Sequence, residues 1–324
     1  MTTASTALLE PDAIRIAVVI PCYNEAAAIA LTLDEMRLAL PQAQLYVFDN
    51  ASSDDTPGIA RAHGAQVAHV SQRGKGNVVR RMFADVEADI YVMVDGDATY
   101  DPSRLREHVQ LLQEQHLDML VGHRTDDAAT SKTYRPGHRW GNQQLTQAVS
   151  RIFGGTLGDV LSGYRVFSRR YVKSFPAISQ GFEIETELTV HALELRMPMA
   201  EVPVIYRARP EGSASKLSTY RDGWRIAKTI AKLFITERPL RFFAGVATTL
   251  ALLAFGLGTP LALTYMQTGL VPRLPTAVLV TGLIVCAALS FVCGAVLHTV
   301  TVGRREVKRL HYLSIPLARP VSRA

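Results

Sequence analysis

Two stretches toward the C-terminal end, residues 242–272 and 274–303, contain no Asp, Glu, Lys or Arg. No other feature limits the possible folds of the chain so sharply. A helix rises about 1.5 Å per residue, so about 20 apolar residues cross a hydrocarbon core of about 30 Å, and each stretch is longer than that. The sequence therefore predicts two transmembrane helices, about 242–266 and 276–301, joined by a short turn around Gln267 to Pro275. Gly256, Gly258 and Pro260 interrupt the first, which membrane helices tolerate when neighbouring groups satisfy the backbone. Arg238 and Arg241 precede the first span, Arg304, Arg305, Lys308 and Arg309 follow the second, and the turn carries only Arg273. Positive charge collects on the cytoplasmic side, so the expectation is a multi-pass inner-membrane protein with both termini in the cytoplasm.

The remaining residues read differently. No signal peptide is visible in MTTASTALLEPDAIRI, which has neither a basic start nor a continuous apolar run. From Ile14 onward, apolar runs alternate with polar loops and amphipathic helices: strands at 16–20, 44–48, 67–70, 90–94, 117–121 and 200–206, with helices at 25–40, 56–63, 76–87, 140–153 and 185–195. Such alternation implies an α/β fold with a mostly parallel sheet flanked by helices. Residues 1–13 form a tail, 14–218 a cytosolic domain, 219–240 a juxtamembrane helix, 241–303 the two spans and 304–324 a cytosolic tail. In the juxtamembrane helix Arg221, Arg225, Lys228 and Lys232 fall on one face, as in a helix lying in the lipid interface. The net charge of +6 gathers near the spans, which favours anionic headgroups over nucleic acid as partner. Cys22, Cys286 and Cys293 suit neither a disulfide framework nor a zinc site.

In an open α/β sheet, ligands bind beyond the carboxyl ends of the strands. Three loops in that position are rich in functional side chains: Pro21-Cys22-Tyr23-Asn24-Glu25, then Asp49 to Thr56, then Asp95-Gly96-Asp97. Asp95 and Asp97, on a turn after a buried strand, can both approach one hard cation, and Mg²⁺ takes one or two carboxylates and completes its shell with water and phosphate. Mg²⁺ or Mn²⁺ bound with a nucleoside diphosphate is the implied ligand set. Tyr23, Glu25 and Asp49 stand where they could hold a base and ribose, and Asp54 and Asp55 precede Thr56-Pro57 as helix-capping residues. Gly74-Lys75-Gly76-Asn77 opens a helix, as a phosphate-proximal loop does.

Together, IPCYNE, FDNASSDDT, GKGNVVRRMFADVEADIYVMVDGDATYDP, GHRTDD, LSGYRVFSRR and GFEIETEL resemble the family 2, GT-A type glycosyltransferases, and among them the polyprenyl-phosphate glycosyltransferases. The resemblance implies a GT-A (Rossmann-like) catalytic domain and a nucleotide-sugar-dependent, inverting hexosyltransferase that moves one sugar to undecaprenyl or dolichyl phosphate. It places Pro21, Tyr23, Glu25, Asp49 and Lys75 on the donor and Asp95 and Asp97 on the metal. Arg124, Arg139, Arg165, Ser213 and Lys216 fall on the acceptor phosphate, with Arg124 and Arg139 counted as catalytic beside the acidic pair. Pro136 stands where processive relatives carry the Gln of a Gln-x-x-Arg-Trp signature, which disfavours polymerisation.

A phosphate monoester is anionic at neutral pH, so its oxygen can attack an anomeric carbon without a side chain removing a proton. A hydroxyl acceptor on another membrane lipid would need a base, and Asp159, Glu185 and Glu187 are the candidates for one. A third alternative, a non-catalytic membrane scaffold, would have no use for the acidic pair. Small residues in the spans leave room for a homo-oligomer.

Overall fold

The computed structural model describes residues 14–126, 138–155, 157–213 and 219–316, without the side chains of 126, 138–142, 219–222 and 225. Lys216, the basic loop from Ser131 to Gly137 and the side chains of Arg139 and Arg221 lie outside the described residues.

The apolar runs form the strands β1 (Ile16–Cys22), β2 (Gln44–Asp49), β3 (Gln66–His69) and β4 (Ile90–Met93), followed by β5 (Met119–Asp126), β6 (Arg165–Ser168) and β7 (Met199–Tyr206). They make one sheet in the order β3-β2-β1-β4-β6-β5-β7, parallel except for β6, which runs against both β4 and β5. Between them lie α1 (Ile29–Ala39), α2 (Thr56–Ala62), α3 (Lys75–Asp85), α4 (Leu105–Glu114), α5 (His138–Phe153), α6 (Arg169–Ser174) and α7 (Ile184–Leu195). Side chains alternate across each strand, so a buried strand serves two cores. Ile16, Val18 and Ile20 of β1 join Leu33, Met36, Val109 and Leu112 on one face. Ala17 and Val19 join Val79, Met82, Phe83, Ile184 and Leu188 on the other. Both cores are rich in branched and aromatic residues, which favours a sheet with helices on both faces.

Three features differ from the sequence reading. β5 does not stop at Val121 but continues through the polar Gly122-His123-Arg124-Thr125, because β7 pairs with it from Met119↔Met199 to Asp126↔Tyr206. Arg124 therefore sits on a strand, not beyond its end. The segment at 165–168 is a strand, and α4 and α6 are two further helices.

The chain divides into two compact units, residues 1–227 with 309–324, and residues 228–308. In the first, the last turns of the C-terminal helix pack on the sheet domain: Tyr312 Oη donates to Asp118 Oδ2 at 2.5 Å, and Arg170 Nε donates to the Ile315 carbonyl at 2.9 Å.

The second unit is built from the end of α8 (Thr219–Glu237), α9 (Pro239–Thr268) and most of α10 (Leu274–Ser314). α9 and α10 are long and apolar enough to cross a membrane, and Leu252, Phe255, Leu263, Ile284, Phe291 and Val296 are exposed along them. Thr249, Thr259, Thr264, Thr281 and Thr299 return their hydroxyls to carbonyls one turn earlier, which satisfies each O–H inside an apolar helix. Where α9 and α10 approach, a Cβ on Gly294 would lie 2.8 Å from Phe243 Cβ, so only glycine fits. Near the charged end, Arg304 Nη2 meets Glu237 Oε1 at 2.6 Å and Thr301 Oγ1 donates to the Thr236 carbonyl.

Candidate active site

Register brings the ends of the central strands together, with Cys22 beside Asp49 and Asp49 beside His69. The loops after β1, β2 and β4 all leave this edge. Each holds one non-glycine residue in the left-handed region, Asn24 (φ 53°), Ala51 (φ 58°) and Ala98 (φ 56°). Such strain survives where surrounding bonds over-determine the backbone, commonly at functional sites. Here the first two loops are stitched together: Asn24 N–H donates to Ser52 Oγ, Ser53 N–H to Asn24 Oδ1, Glu25 N–H to Thr56 Oγ1 and Ala26 N–H to Asp54 Oδ2. Asp54 ties the two loops and also accepts the Thr56 N–H and hydroxyl at the start of α2, while Asp55, at the helix N-cap, makes no capping bond with its side chain.

Of the donor-side residues, Pro21 closes β1 and Tyr23 is half-buried, with the Arg73 guanidinium 5.4 Å above its ring. Asp49 is buried, takes the Ser52 N–H at 3.3 Å and has His69 Nδ1 at 3.3 Å. The Gly74-Lys75-Gly76 turn is held from below by Asn50, whose Oδ1 accepts the Gly74 N–H at 2.7 Å while its Nδ2 donates to the Val70 and Gln72 carbonyls.

At the centre stand the two carboxylates. Lys75 Nζ lies 2.5 Å from Asp95 Oδ1 and 2.6 Å from Glu185 Oε1, while Arg209 Nη2 lies 2.5 Å from Asp97 Oδ2 and its Nη1 faces Glu25 Oε1 at 3.6 Å. Burial lowers the Lys75 ammonium, but Asp95 and Glu185 outweigh it and hold the group above its ordinary value. Burial, and then the charge of Asp95, push the Asp97 carboxyl above the usual range. Burial does the same to Glu185, against the pull of Lys75. Two carboxylates on one tight turn, with burial and the charge of Asp95 pushing Asp97 up, fit a small hard cation that draws its other ligands from water and phosphate. Among the described residues no cluster of three or more metal-capable side chains forms.

Gly163 closes the back of the site. A Cβ there would lie 2.2 Å from Asp95 Oδ2, and the Gly163 N–H donates to Tyr100 Oη at 2.9 Å.

Two acceptor-side expectations change. Arg165, expected to meet the acceptor phosphate, is fully buried. Its five N–H donors go to the Ser162, Val160 and Glu185 carbonyls, Thr189 Oγ1 and Met119 Sδ, so it fastens the Val160–Ser162 turn to α7 and has no donor left for an anion. Ser213 donates its hydroxyl to Glu25 Oε2 at 3.0 Å, joining the segment after β7 to the loop after β1. Arg124 makes a bidentate pair with Asp159, Nε to Oδ2 at 2.6 Å and Nη2 to Oδ1 at 2.9 Å, with Tyr206 stacked on the guanidinium. Asp159 is thereby a partner of Arg124, and its backbone N–H is itself taken by Glu201. Glu187 accepts the Ile178 and Ser179 N–H groups, away from Lys75.

Arg209, Gly163 and Tyr100 were not singled out from the sequence. Arg209 follows β7, and the rule that chemistry sits after strand ends applied there as well. Gly163 meets Asp95, and Tyr100 meets Gly163, through the fold alone.

Residues 17–175 match the family described as Glycosyl transferase family 2. Glycosyltransferase AglJ of Haloferax volcanii is 34% identical, over 79% of this chain and 82% of that protein. A dolichyl-phosphate hexose transferase of the same organism is 29% identical, over 69% of this chain and 95% of that protein. Among solved structures, glucosyl-3-phosphoglycerate synthase from Mycobacterium tuberculosis, crystallised with Mn²⁺ and UDP-glucose, superposes with a TM-score of 0.54 at 24% identity, covering 68% of this chain and 78% of that one. At that identity the superposition speaks for the fold, which is of the GT-A kind.

Proposed function

The chain belongs to glycosyl transferase family 2, and from that premise we propose that it moves a single hexose from a UDP- or GDP-linked donor to the phosphate of a polyprenyl lipid, with inversion. The observation that carries this is the Asp95-Gly96-Asp97 turn, flanked by Lys75 and Arg209 at the ligand edge of the sheet, in a chain with two helices of membrane-spanning length. The dolichyl-phosphate transferase named among its relatives supports the acceptor class.

Pro21, Tyr23, Glu25 and Asp49 line the nucleoside side, Tyr23 by stacking and the carboxylates by accepting hydrogen bonds. Asp95 and Asp97 would hold Mg²⁺ or Mn²⁺, which when bound offsets the charge of the leaving diphosphate. Lys75 and Arg209, already balancing the two carboxylates, are the chain's own cations for the same phosphates.

For the acceptor phosphate we assign Arg124, held in one orientation by Asp159, together with Arg139 and Lys216. Positioning two anions against their mutual repulsion is then most of the catalytic task. A phosphate nucleophile needs no base, which agrees with an Asp159 carboxylate bound to a guanidinium on both oxygens. The chain sits in the cytoplasmic membrane with both termini in the cytoplasm. On α8 the exposed face carries Trp224, Lys228, Lys232 and Ile235, a mix suited to the headgroup region.

The test is to incubate the purified full-length protein in vesicles with Mg²⁺ or Mn²⁺ and labelled UDP-glucose, GDP-mannose and UDP-linked amino sugars. Undecaprenyl phosphate, undecaprenol and diacylglycerol are compared as acceptors. Label on undecaprenyl phosphate alone is expected; label on either hydroxyl lipid would overturn the acceptor assignment.

A further inference from the structure

We propose that Glu187 is a positioning residue for the donor: it clamps residues 177–181 as a brace against the Gly74-Lys75-Gly76 turn and thereby holds Lys75 in place. The inference rests on the reading of Lys75 as a phosphate-side cation.

The contacts run in series. Glu187, buried on α7, accepts the Ile178 N–H on Oε1 at 2.8 Å and the Ser179 N–H on Oε2 at 2.6 Å. The carbonyl of Gln180, one residue on, accepts the Gly76 N–H at 3.0 Å. Backbone meets backbone closely here, since a Cβ on Gly76 would fall 2.1 Å from the Ser179 carbonyl oxygen and one on Gly74 2.2 Å from that of Gln180. Arg80, one turn further along α3, donates through Nε and Nη2 to the Ala177 carbonyl at 3.0 and 2.8 Å. The brace is thus gripped from α7 by a carboxylate and from α3 by a guanidinium. Between them lies the turn that presents Lys75 Nζ to Asp95 and Glu185.

Glu187 does not touch Lys75. Two converging N–H groups need two acceptor oxygens, and a carboxylate supplies both. An amide in its place offers one oxygen and sets its own NH₂ against the second N–H. Glu187→Gln therefore keeps the volume of the side chain while loosening the brace.

Two measurements on the full-length protein test this. In the nucleotide-free protein, amide hydrogen exchange in the peptide covering 73–78 is expected to speed up about tenfold in Glu187→Gln, the effect of one net hydrogen bond. This arm needs no substrate, so it stands even if sugar transfer to a lipid phosphate fails. Unchanged exchange at 73–78 overturns the proposal. In the second arm, titration with UDP and with GDP in the presence of Mn²⁺ is expected to show an about tenfold affinity loss for whichever nucleotide wild type binds, with KM for undecaprenyl phosphate unchanged within about twofold. In a Lys75→Met background the same substitution is expected to add nothing, because the effect passes through Lys75. A full, additive loss in that background, or equal losses for donor and acceptor, would show that Glu187 acts only through general stability.

Discussion

Gly163→Ala presses directly on one of the two central carboxylates. Its new Cβ would stand 2.2 Å from Asp95 Oδ2, whereas ordinary contact begins at 3.4 Å. One of the two groups must give by more than 1 Å. The Gly163 backbone is held by its N–H bond to Tyr100 Oη, so the carboxylate moves, and its other oxygen is on Lys75 at 2.5 Å. A displacement of about 1 Å in a group that positions reacting atoms costs about a hundredfold in rate, or about 2.7 kcal/mol of transition-state stabilisation. Overpacking a buried position costs about 1–3 kcal/mol of stability, which for a domain of this size lowers the unfolding midpoint by about 2–4 °C per kcal/mol. The assay pairs initial rates of label transfer to undecaprenyl phosphate with thermal unfolding of the same preparation. A loss of about a hundredfold in kcat/KM is expected from a protein that is still folded at the assay temperature. Activity within about threefold of wild type would refute the placement of Asp95 Oδ2 against Gly163 and, with it, the role given to that carboxylate.

Three further outcomes follow from the geometry. Arg165→Met strands the acceptors around a fully buried guanidinium and is expected to cost about 3–5 kcal/mol in urea unfolding, with the donor KM of the surviving folded protein unchanged. Arg124→Lys and Asp159→Asn each break one bidentate pair, so both are expected to lower transfer, and the double variant to be no worse than the poorer single one; strictly additive losses would mean that Asp159 acts independently of Arg124. Burial lowers His108 to about 4 from an ordinary 6.5, so between those pH values the unfolded chain binds a proton that the folded chain refuses, and stability falls as pH falls through that window. The shift corresponds to about 3 kcal/mol. Urea unfolding from pH 7 to 4 is expected to show a shallower decline in His108→Phe than in wild type; parallel curves would contradict the assignment.

Much of this architecture can be read from residue order. Apolar runs bounded by polar loops locate β1 to β4 to within a few residues, most plainly in β1 and β4, where almost every side chain is apolar and buried. β6 escapes such a reading: it is four residues long and begins with Arg165, a cation that is buried only because α7 and the Val160–Ser162 turn supply its acceptors. The second half of β5 escapes for a similar reason, since Gly122 to Asp126 is polar and becomes strand only by pairing with β7 some eighty residues later. α4 carries His108 on its core face, with its Nδ1 2.7 Å from Tyr164 Oη, which weakens the apolar periodicity.

The site divides in the same way. Asp95, Asp97 and Lys75 sit in short stretches whose chemistry is local, after a strand or at the start of a helix. Glu185, Arg209 and Gly163, which surround them, lie from 66 to 134 residues away in sequence, and no spacing connects them. Arg165 shows the converse error. The family resemblance puts it on the acceptor phosphate, yet burial and five satisfied donors make it a structural bolt.

The central claim is that Asp95 and Asp97 together hold the cation that grips a sugar nucleotide next to a lipid-borne phosphate. Its most direct test is transfer of labelled sugar to undecaprenyl phosphate by wild type and by the double variant Asp95→Ala/Asp97→Ala, with Mn²⁺ and with chelator. Label is expected to enter the lipid only with wild type and Mn²⁺. Transfer by the double variant at the wild-type rate would contradict the claim.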